Sequence, residues 1–295
     1  MCTVSIIPVS REGVEGSRGR GDRWSGFRLV SNRDERHDRA DAAPPRWREL
    51  SSVSRGRAIW PADGEAGGTW IGATDRGLLL SLLNLNPEEW VSLPDSGRLL
   101  SRGRVIPTLL EKSSGLLEVA GEIERLELDR LAPFRLVGVE LTGEGLVVLE
   151  AAWDRRDVAV MWFGEAPICF ASSGLGDRLV TPRLGLFEEM VAGPISQGAR
   201  STAAVLAQDA FHAHVWPDRP QISVMMNRAE ARTVSVTSVE VMFAIGATGR
   251  AESSLPLPSV KMGYRPTVSP VVGVSTGAAV PEIPPSGGVG QASVR

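Results

Sequence analysis

The chain has 295 residues, 42% of them hydrophobic and 23% charged, and a formal net charge of -3. This composition predicts a globular protein with a sizeable core, and the charge excludes nucleic acid as the main partner, because phosphate binding needs a concentrated basic face. Two distant cysteines exclude a disulfide framework, and the lack of a signal peptide pattern or of an apolar run long enough to cross a membrane predicts a cytoplasmic protein.

The first part of the chain predicts two strands and two long loops. A β-branched strand spans residues 3–9, directly after Cys2, and a second strand spans residues 26–32. The Gly- and Arg-rich residues 10–24 predict an exposed loop between them. Residues 33–68 are polar and rich in Pro and Arg, without a sustained period, and they also predict a loop.

A hairpin and a helical region follow. Residues 69–84 place two apolar runs around Asp75-Arg76-Gly77, a composition typical of a type I turn followed by a bulge. Apolar residues recur at helical spacing over residues 98–130, with a break at Ser113-Ser114-Gly115. This region is therefore expected to form helices.

The second half predicts a run of strands, two helices and further strands. The expected strands and helices are, in order, strands at 134–141, 145–153, 158–163 and 167–173, helices at 183–193 and 199–213, and strands at 222–227, 231–239 and 240–245, the last two as one bent hairpin. Such segregated runs of strands and helices predict an α+β layered fold instead of alternating βαβ units.

The composition changes near residue 250. Proline, glycine, serine and valine dominate residues 251–295, which carry few charges and no period. These features predict a disordered or loosely draped tail after a structured domain over residues 1–250.

Common cofactor and metal motifs are absent, so neither a cofactor nor a metal is expected. Cys2 is the residue that stands out, because removal of Met1 would leave a thiol and an α-amine on one residue. An α-amine has a pKa of about 7.7–8.0, which suits a general base at neutral pH. The alternative interpretation is a small, apolar-like cysteine at the start of a strand.

Six short segments, in order, resemble one known family. Residues 31–36 (SNRDER) contain the tetrapeptide that names the NRDE family, also called transport and Golgi organisation protein 2-like, which belongs with the N-terminal nucleophile hydrolases. The other matching segments are MCT at the start, GGTWIG (67–72), RGLLLSLLN (76–84), SSGLGDRLVTPR (172–183) and SVMMNRAEARTVSVT (223–237). The resemblance covers roughly residues 1–245.

This resemblance implies a four-layer αββα sandwich of two antiparallel sheets. The N-terminal strand would lie in the centre of one sheet and present residue 2 at the open end of that sheet. Choloylglycine hydrolases and penicillin V acylases look like relatives, because they also begin M-C-T and carry R-N-x-D at the end of the second strand.

The resemblance also implies roles near the N-terminus. Cys2 would be the nucleophile, and Asp34 would hold its freed amine by a charge-assisted hydrogen bond. Ser31 stands where the relatives have arginine, so the contact of that arginine with the thiol would be either lost or supplied by Arg33. Asn32 would lock the strand end or the nucleophile's backbone, or would be an ordinary turn residue.

Further roles concern the oxyanion and a late arginine. Asn84 aligns with the asparagine that donates to the oxyanion in the relatives. Their second asparagine is missing here, so Ser173 or a backbone N–H near Gly174 would substitute for it. Arg228 is the candidate for the arginine that steadies the N-terminus, with Arg232 nearly as good.

Other nearby residues have more ordinary expected roles. Gly67 and Gly68 permit close backbone approach beside the site, or simply open the hairpin. Trp70 and Cys169 are expected in the core, and Glu35 is expected to cap the loop or pair with an arginine.

The implied function is that of an N-terminal cysteine hydrolase that cleaves a non-peptide C–N bond in a small-molecule amide or acyl substrate. No metal or organic cofactor is expected. The alternative is a non-enzymatic haem or lipid carrier on the same fold, in which a cysteine could ligate haem iron. A scaffold for the tail is a third interpretation, and the sequence leaves homo-oligomerisation open.

Overall fold

Two antiparallel sheets form the centre of the molecule. The computed structural model describes residues 2–10, 26–51, 56–86, 92–93, 98–164, 167–243 and 257–267. In chain order the strands are β1 (Cys2–Val9), β2 (Gly26–Arg36), β3 (Ala43–Glu49), β4 (Arg57–Ala62), β5 (Ile71–Thr74), β6 (Leu79–Asn84), β7 (Phe134–Thr142), β8 (Gly145–Trp153), β9 (Val158–Phe163), β10 (Ile168–Ser172), β11 (Ala231–Met242) and β12 (Ser259–Pro266). One sheet has the order β10-β1-β2-β11-β12, and the other runs from β3 to β9 in sequence.

Helices cover the outer face of each sheet. They are α1 (Val105–Lys112), α2 (Leu116–Ile123), α3 (Pro182–Phe187), α4 (Gly193–Ser196) and α5 (Ser201–His212), with a π-helical turn at Glu188–Ala192 that joins α3 to α4. Helices α1 and α2 pack on the seven-stranded sheet, and α3 to α5 pack on the five-stranded sheet. The expected α+β sandwich with four αββα layers is therefore confirmed.

Strand β1 is buried on both of its faces. Val4 and Ile6 pack into the core between the two sheets, whereas Ile7 and Val9 pack against the helices. A strand enclosed on both sides favours apolar residues on both faces, which explains why Val and Ile recur along the segment after Cys2.

The first strand has an interior position in its sheet. It pairs with β10 on one side and with β2 on the other, so β2 and not β1 is the central strand. Cys2 lies opposite Ser172 and Arg33 in these two pairings. Residue 2 is thereby fixed at one end of the five-stranded sheet.

The expectation of a loop over residues 33–68 is wrong. Strand β2 continues to Arg36, and two strands, β3 and β4, lie within the remaining segment. Strand β3 is at the edge of its sheet, where proline is tolerated and only one neighbour is needed. The Arg48 side chain lies over the Trp60 ring at 4.5 Å, so an arginine covers apolar surface that the sequence pattern does not reveal.

Two expectations near the end of the domain also need correction. Residues 222–227 form a 3₁₀ turn and an irregular segment instead of a strand, because apart from an isolated bridge at Asn227 they have no sheet partner. The expected bent hairpin over 231–245 is one continuous strand, β11, from Ala231 to Met242.

The domain boundary at residue 250 is placed too early. Ser259–Pro266 forms β12, which pairs with β11 over its whole length and completes the five-stranded sheet. Backbone pairing orders this segment despite its weak apolar pattern. The rest of the expected tail, and the expected loop at 10–24 from residue 11 onward, lie outside the described residues.

Other expectations are confirmed. The hairpin at residues 69–84 consists of β5 and β6, and Gly77 in its turn has a φ of 92°, which favours glycine. Helices α1 and α2 are separated at Ser113-Ser114-Gly115, as the break in the pattern indicates. Strands β7 to β10 and the helices near residues 182–196 and 201–212 also agree with the sequence.

Candidate active site

A cavity of about 600 Å³ opens at the end of the five-stranded sheet that carries Cys2. Its walls come from the ends of β1, β2 and β6, from the loop before α1, and from the segment before β11. Among its polar lining residues are Cys2, Asp34, Asn84, Arg102 and Arg228. Four of these five belong to the set expected from the sequence, and the structure brings them together.

Cys2 lies at the inner wall of this cavity and is 5% exposed. Its backbone nitrogen donates to Ser172 Oγ at 3.3 Å. Burial raises the pKa of the Cys2 thiol. The thiol is therefore protonated at neutral pH, and any attack by the sulfur needs a group that takes the proton.

Asp34 is buried at the end of β2, where three elements meet. Thr233 Oγ1 donates to Asp34 Oδ1 at 2.6 Å, and Arg183 Nη1 lies 3.9 Å from Asp34 Oδ2. Burial raises the pKa of Asp34, and the charge of Arg183 opposes that shift. Arg183 in turn donates to Thr3 Oγ1 at 2.7 Å and to the Ile222 carbonyl at 3.0 Å.

Arg33 lines the cavity, but its guanidinium is held by other groups. It lies over the Trp70 ring at 4.4 Å, and its Nη2 is 2.5 Å from Asp63 Oδ2. Arg39 Nη2 binds the other oxygen of Asp63 at 2.8 Å. Burial acts to raise the pKa of Asp63, but these hydrogen bonds and charges lower it overall. Trp70, expected in the core, is both buried and part of the cavity wall.

Asn84 and Gly174 line the same cavity from two different segments. The side-chain amide of Asn84 makes no hydrogen bond within the described part of the chain. Asp177 holds the two segments together, because it accepts from the Asn86 side chain at 2.9 Å and from the Ser173 backbone at 2.8 Å. Ser173 itself is buried and is not a lining residue, so Gly174 is the better placed of the two substitutes.

The structure distinguishes the two late arginines. Arg228 lines the cavity, with its Nε 3.7 Å from Glu230 Oε2. Arg232 is turned elsewhere, and its Nη1 donates to the carbonyl of Thr267 at 2.9 Å. The geometry therefore favours Arg228.

Asn32 is placed away from the cavity. It lies within β2, and its amide nitrogen donates to the carbonyls of His212 and Val224, both at 2.9 Å. Its expected alternative role as a turn residue is wrong, because the strand continues past it. Asn32 joins the sheet to the helical layer.

Gly68 and Gly103 touch through their backbones. A Cβ atom on Gly68 would lie 2.5 Å from the Gly103 carbonyl carbon, and the Thr69 nitrogen donates to the Gly103 carbonyl at 2.9 Å. The expected close approach at Gly68 is confirmed. Gly67 has a φ of 65°, which also favours glycine, but a Cβ there would meet nothing.

Over residues 24–173 the sequence matches the family described as Transport and Golgi organisation 2. The chain belongs to this family. No curated protein matches it.

Several solved structures resemble this family member in fold at low sequence identity. An N-acylethanolamine-hydrolyzing acid amidase ortholog from Caenorhabditis elegans has 12% identity and a TM-score of 0.47, with 80% of this chain and 91% of that chain covered. Penicillin V acylase from Agrobacterium tumefaciens has 12% identity and a TM-score of 0.46, with 83% of each chain covered. A mutant conjugated bile acid hydrolase from Clostridium perfringens has 11% identity and a TM-score of 0.41, with 91% and 97% covered.

The sequence of this Transport and Golgi organisation 2 family member does not predict two of the arginines beside the site. Arg183 lies in a matching segment, yet only the fold shows its contact with Asp34. Arg102 precedes α1, and its Nη1 donates to the Pro133 carbonyl at 2.7 Å. Burial lowers the pKa of each guanidinium. No local sequence pattern indicates either arginine, because the residues that each guanidinium contacts are distant along the chain.

Within the described ranges, no group of three or more His, Cys, Asp or Glu side chains is arranged to hold a metal ion. No helix in the described part of the chain has both the length and the apolar character required to span a membrane.

Proposed function

We propose that this protein is an N-terminal cysteine hydrolase that cleaves the C–N bond of a small-molecule amide, with Cys2 as nucleophile. The observation that carries the proposal is the position of Cys2 in the wall of a cavity of about 600 Å³, beside Asp34 and an Asn84 amide that no described residue binds. A cavity of this size suits a small ligand.

The freed α-amine of Cys2 would serve as the base after removal of Met1. The buried thiol is protonated at neutral pH, so its proton must leave as the sulfur attacks. The backbone nitrogen of Cys2, which is hydrogen-bonded to Ser172 Oγ in this structure, would accept that proton. Asp34 would stabilise the resulting ammonium, and Arg183 and Thr233 keep that carboxylate in place.

Attack on the substrate would form an S–C bond at the amide carbonyl. The carbonyl oxygen then carries the negative charge, and Asn84 Nδ2 with the backbone N–H of Gly174 would donate to it. The C–N bond breaks when the ammonium of Cys2 returns the proton to the leaving amine, which leaves a thioester on Cys2.

Water would release the acyl group in a second step. The α-amine takes a proton from the water while the oxygen forms a C–O bond with the thioester carbonyl. The C–S bond breaks, the sulfur regains its proton, and a carboxylic acid leaves. Neither step requires an oxidant, a reductant or a metal.

Intact mass and thiol labelling test this proposal with a matched pair of cysteine variants. We expect purified protein to lack Met1 and Cys2 to react with iodoacetamide at pH 7.5 much faster than Cys169, because Cys2 lines the cavity beside its own α-amine and Cys169 does not line it. Cys2→Ala should abolish fast labelling and the p-nitrophenolate burst from p-nitrophenyl acetate, whereas Cys169→Ala should leave both intact.

Retained Met1, or a Cys2 that reacts no faster than Cys169, would overturn the hydrolase mechanism. A screen of N-acyl amines by mass spectrometry follows only if both tests succeed. The carrier alternative makes a different prediction, namely that the wild type binds haem saturably and shifts its Soret band. Cys2→Ala should do the same if the thiol is not the ligand.

A further inference from the structure

Arg102 owes its position in the cavity to a backbone contact. Gly103, the next residue, lies so close to Gly68 that a Cβ atom on Gly68 would clash with its backbone, and a Cβ on Gly103 would lie only 3.0 Å from the Gly68 Cα. Ser101 Oγ accepts from the Gly103 nitrogen at 3.2 Å, which fixes the turn from the other side. The Arg102 guanidinium is thus placed in the cavity by a closely packed and hydrogen-bonded turn.

The other cavity arginines are paired with carboxylates. Arg33 and Arg39 share Asp63, and Arg228 lies near Glu230. Arg36, at the exposed rim, binds Asp38.

Arg102 differs from these arginines. Among the described residues, its only hydrogen-bond partner is the carbonyl of Pro133, and no carboxylate forms an ion pair with it. Burial of this guanidinium is unfavourable, because the charge of Glu35, which forms no ion pair with it, offsets its desolvation only in part. Its planar fork of five donors matches a carboxylate, and only one donor is occupied by Pro133.

We propose that Arg102 binds a carboxylate on the substrate, so that the amides cleaved by this protein carry a single negative charge. This inference rests on the proposed role of Cys2, since it places the carboxylate in the same cavity as the nucleophile. A monoanion is favoured over a dianionic phosphate, because Asp34, Glu35 and Glu230 also line the cavity and repel additional negative charge.

Matched charged and neutral electrophiles test this site. The first pair is iodoacetate and iodoacetamide, and a longer pair is N-bromoacetylglycine and N-bromoacetylglycinamide. In each pair the sulfur of Cys2 displaces a halide, and the two reagents differ in a carboxylate against a carboxamide. The ratio of the two Cys2 alkylation rates, resolved by peptide mass spectrometry, cancels any change in the reactivity of the thiol itself.

In the wild type we expect the anionic reagent of at least one pair to react about tenfold or more faster than its neutral partner. Arg102→Gln should remove that preference, and Arg102→Lys, which retains the charge without the fork, should keep part of it. Arg104→Gln is the control, because Arg104 is an exposed arginine two residues away and its loss changes the net charge equally. Its ratio should match the wild type.

The outcomes separate this inference from the proposed function. Fast alkylation of Cys2 without an anionic preference in either pair, or a preference that survives Arg102→Gln, would overturn the carboxylate site and leave the nucleophile intact. Slow alkylation of Cys2 by both neutral reagents would instead overturn the proposed function. If Arg102→Gln does not fold, the Arg102→Lys ratio decides. A ratio equal to that of the wild type, or one lowered no more than that of Arg104→Gln, would reject a specific contact.

Discussion

Two buried polar regions lie on opposite faces of the five-stranded sheet, and they differ in how their hydrogen bonds are completed. The helix-side cluster consists of Ser5, Arg28, Asn32, Gln208 and His212. The cavity on the inner side holds Cys2, Asn84 and Arg102 instead. In the first region the polar groups bind one another, whereas in the second several donors have no protein partner within the described residues.

The helix-side cluster has the connectivity of a catalytic triad but not its accessibility. His212 Nε2 is 2.7 Å from Ser5 Oγ, and His212 Nδ1 is 2.8 Å from Asn32 Oδ1. Gln208 Nε2 donates to Ser5 Oγ at 2.9 Å, and Arg28 Nη1 donates to Gln208 Oε1 at 2.7 Å. Ser5 is 0% exposed, and none of the five lines the cavity, so a substrate cannot reach them.

The difference shows how to separate structural from functional polar groups. A buried group whose donors and acceptors are all matched contributes to stability and to the docking of α5 on the sheet. A group at a cavity wall with an unused donor contributes little to stability and is available to a ligand. Substitutions in the two regions should therefore have opposite signatures.

The largest effect is expected from Asn84→Ala in the cavity. Acylation of Cys2 by p-nitrophenyl acetate should slow by about 10²–10³-fold, because an oxyanion donor is lost. Alkylation by iodoacetamide, which develops no oxyanion, should be unchanged, and the free energy of unfolding should change by less than about 0.5 kcal/mol. Equal slowing of acylation and alkylation would show that Asn84 acts on the thiol and not on the oxyanion.

The reverse signature is expected from Gln208→Leu in the helix-side cluster. The free energy of unfolding in urea should fall by roughly 2–4 kcal/mol, because Arg28 and Ser5 lose buried partners. Gln197→Leu is the matched control, since Gln197 is exposed and should change stability by less than about 0.5 kcal/mol. The rate of Cys2 alkylation in folded Gln208→Leu should match the wild-type rate. A much lower rate would contradict the distinction between the helix-side cluster and the cavity.

A smaller effect is expected in the pH dependence of the free energy of unfolding, through His212. Burial, with the charges of Arg28 and Arg183, lowers the pKa of His212 from 6.5 to about 3. Between these values the unfolded chain binds a proton that the folded protein excludes, so stability falls as pH decreases. The slope approaches about 1.4 kcal/mol per pH unit.

Urea unfolding of the wild type and of His212→Gln at several pH values from 7.5 to 4.5 measures this contribution. Glutamine does not titrate, so the difference between the two free energies should narrow as pH falls below about 6.5. Parallel curves would contradict this prediction, since they would mean that folding does not lower the pKa of His212.

Periodicity in the sequence predicts the parts of the fold where one residue type dominates a face. Strand β1 and the hairpin of β5 and β6 are visible because apolar residues occupy most of their positions. Strands β3 and β12 are not visible, since both lie at sheet edges and present polar residues to solvent. Neighbouring strands order such segments, and a sequence window does not contain that information.

The candidate site is predictable where a role follows a short motif. Cys2 and Asp34 come from such motifs, and the structure places both at one cavity. Arg102 and Arg183 are missed because arginines are frequent in this chain and their significance depends on partners far away in sequence. Asn32 is misplaced for a related reason, since alternation along β2 turns its side chain to the helices while Arg33 faces the cavity.

The interior position of β1 has a consequence for how the protein is made. Cys2 pairs with Ser172, so its burial requires a partner synthesised 170 residues later. At about 5–20 residues per second, the ribosome leaves roughly ten to thirty seconds before that partner emerges. Under the proposed function, an aminopeptidase has this interval to remove Met1 while residue 2 is still unpaired. The long sequence separation that slows assembly of the sheet thus also provides the time in which the α-amine can be exposed.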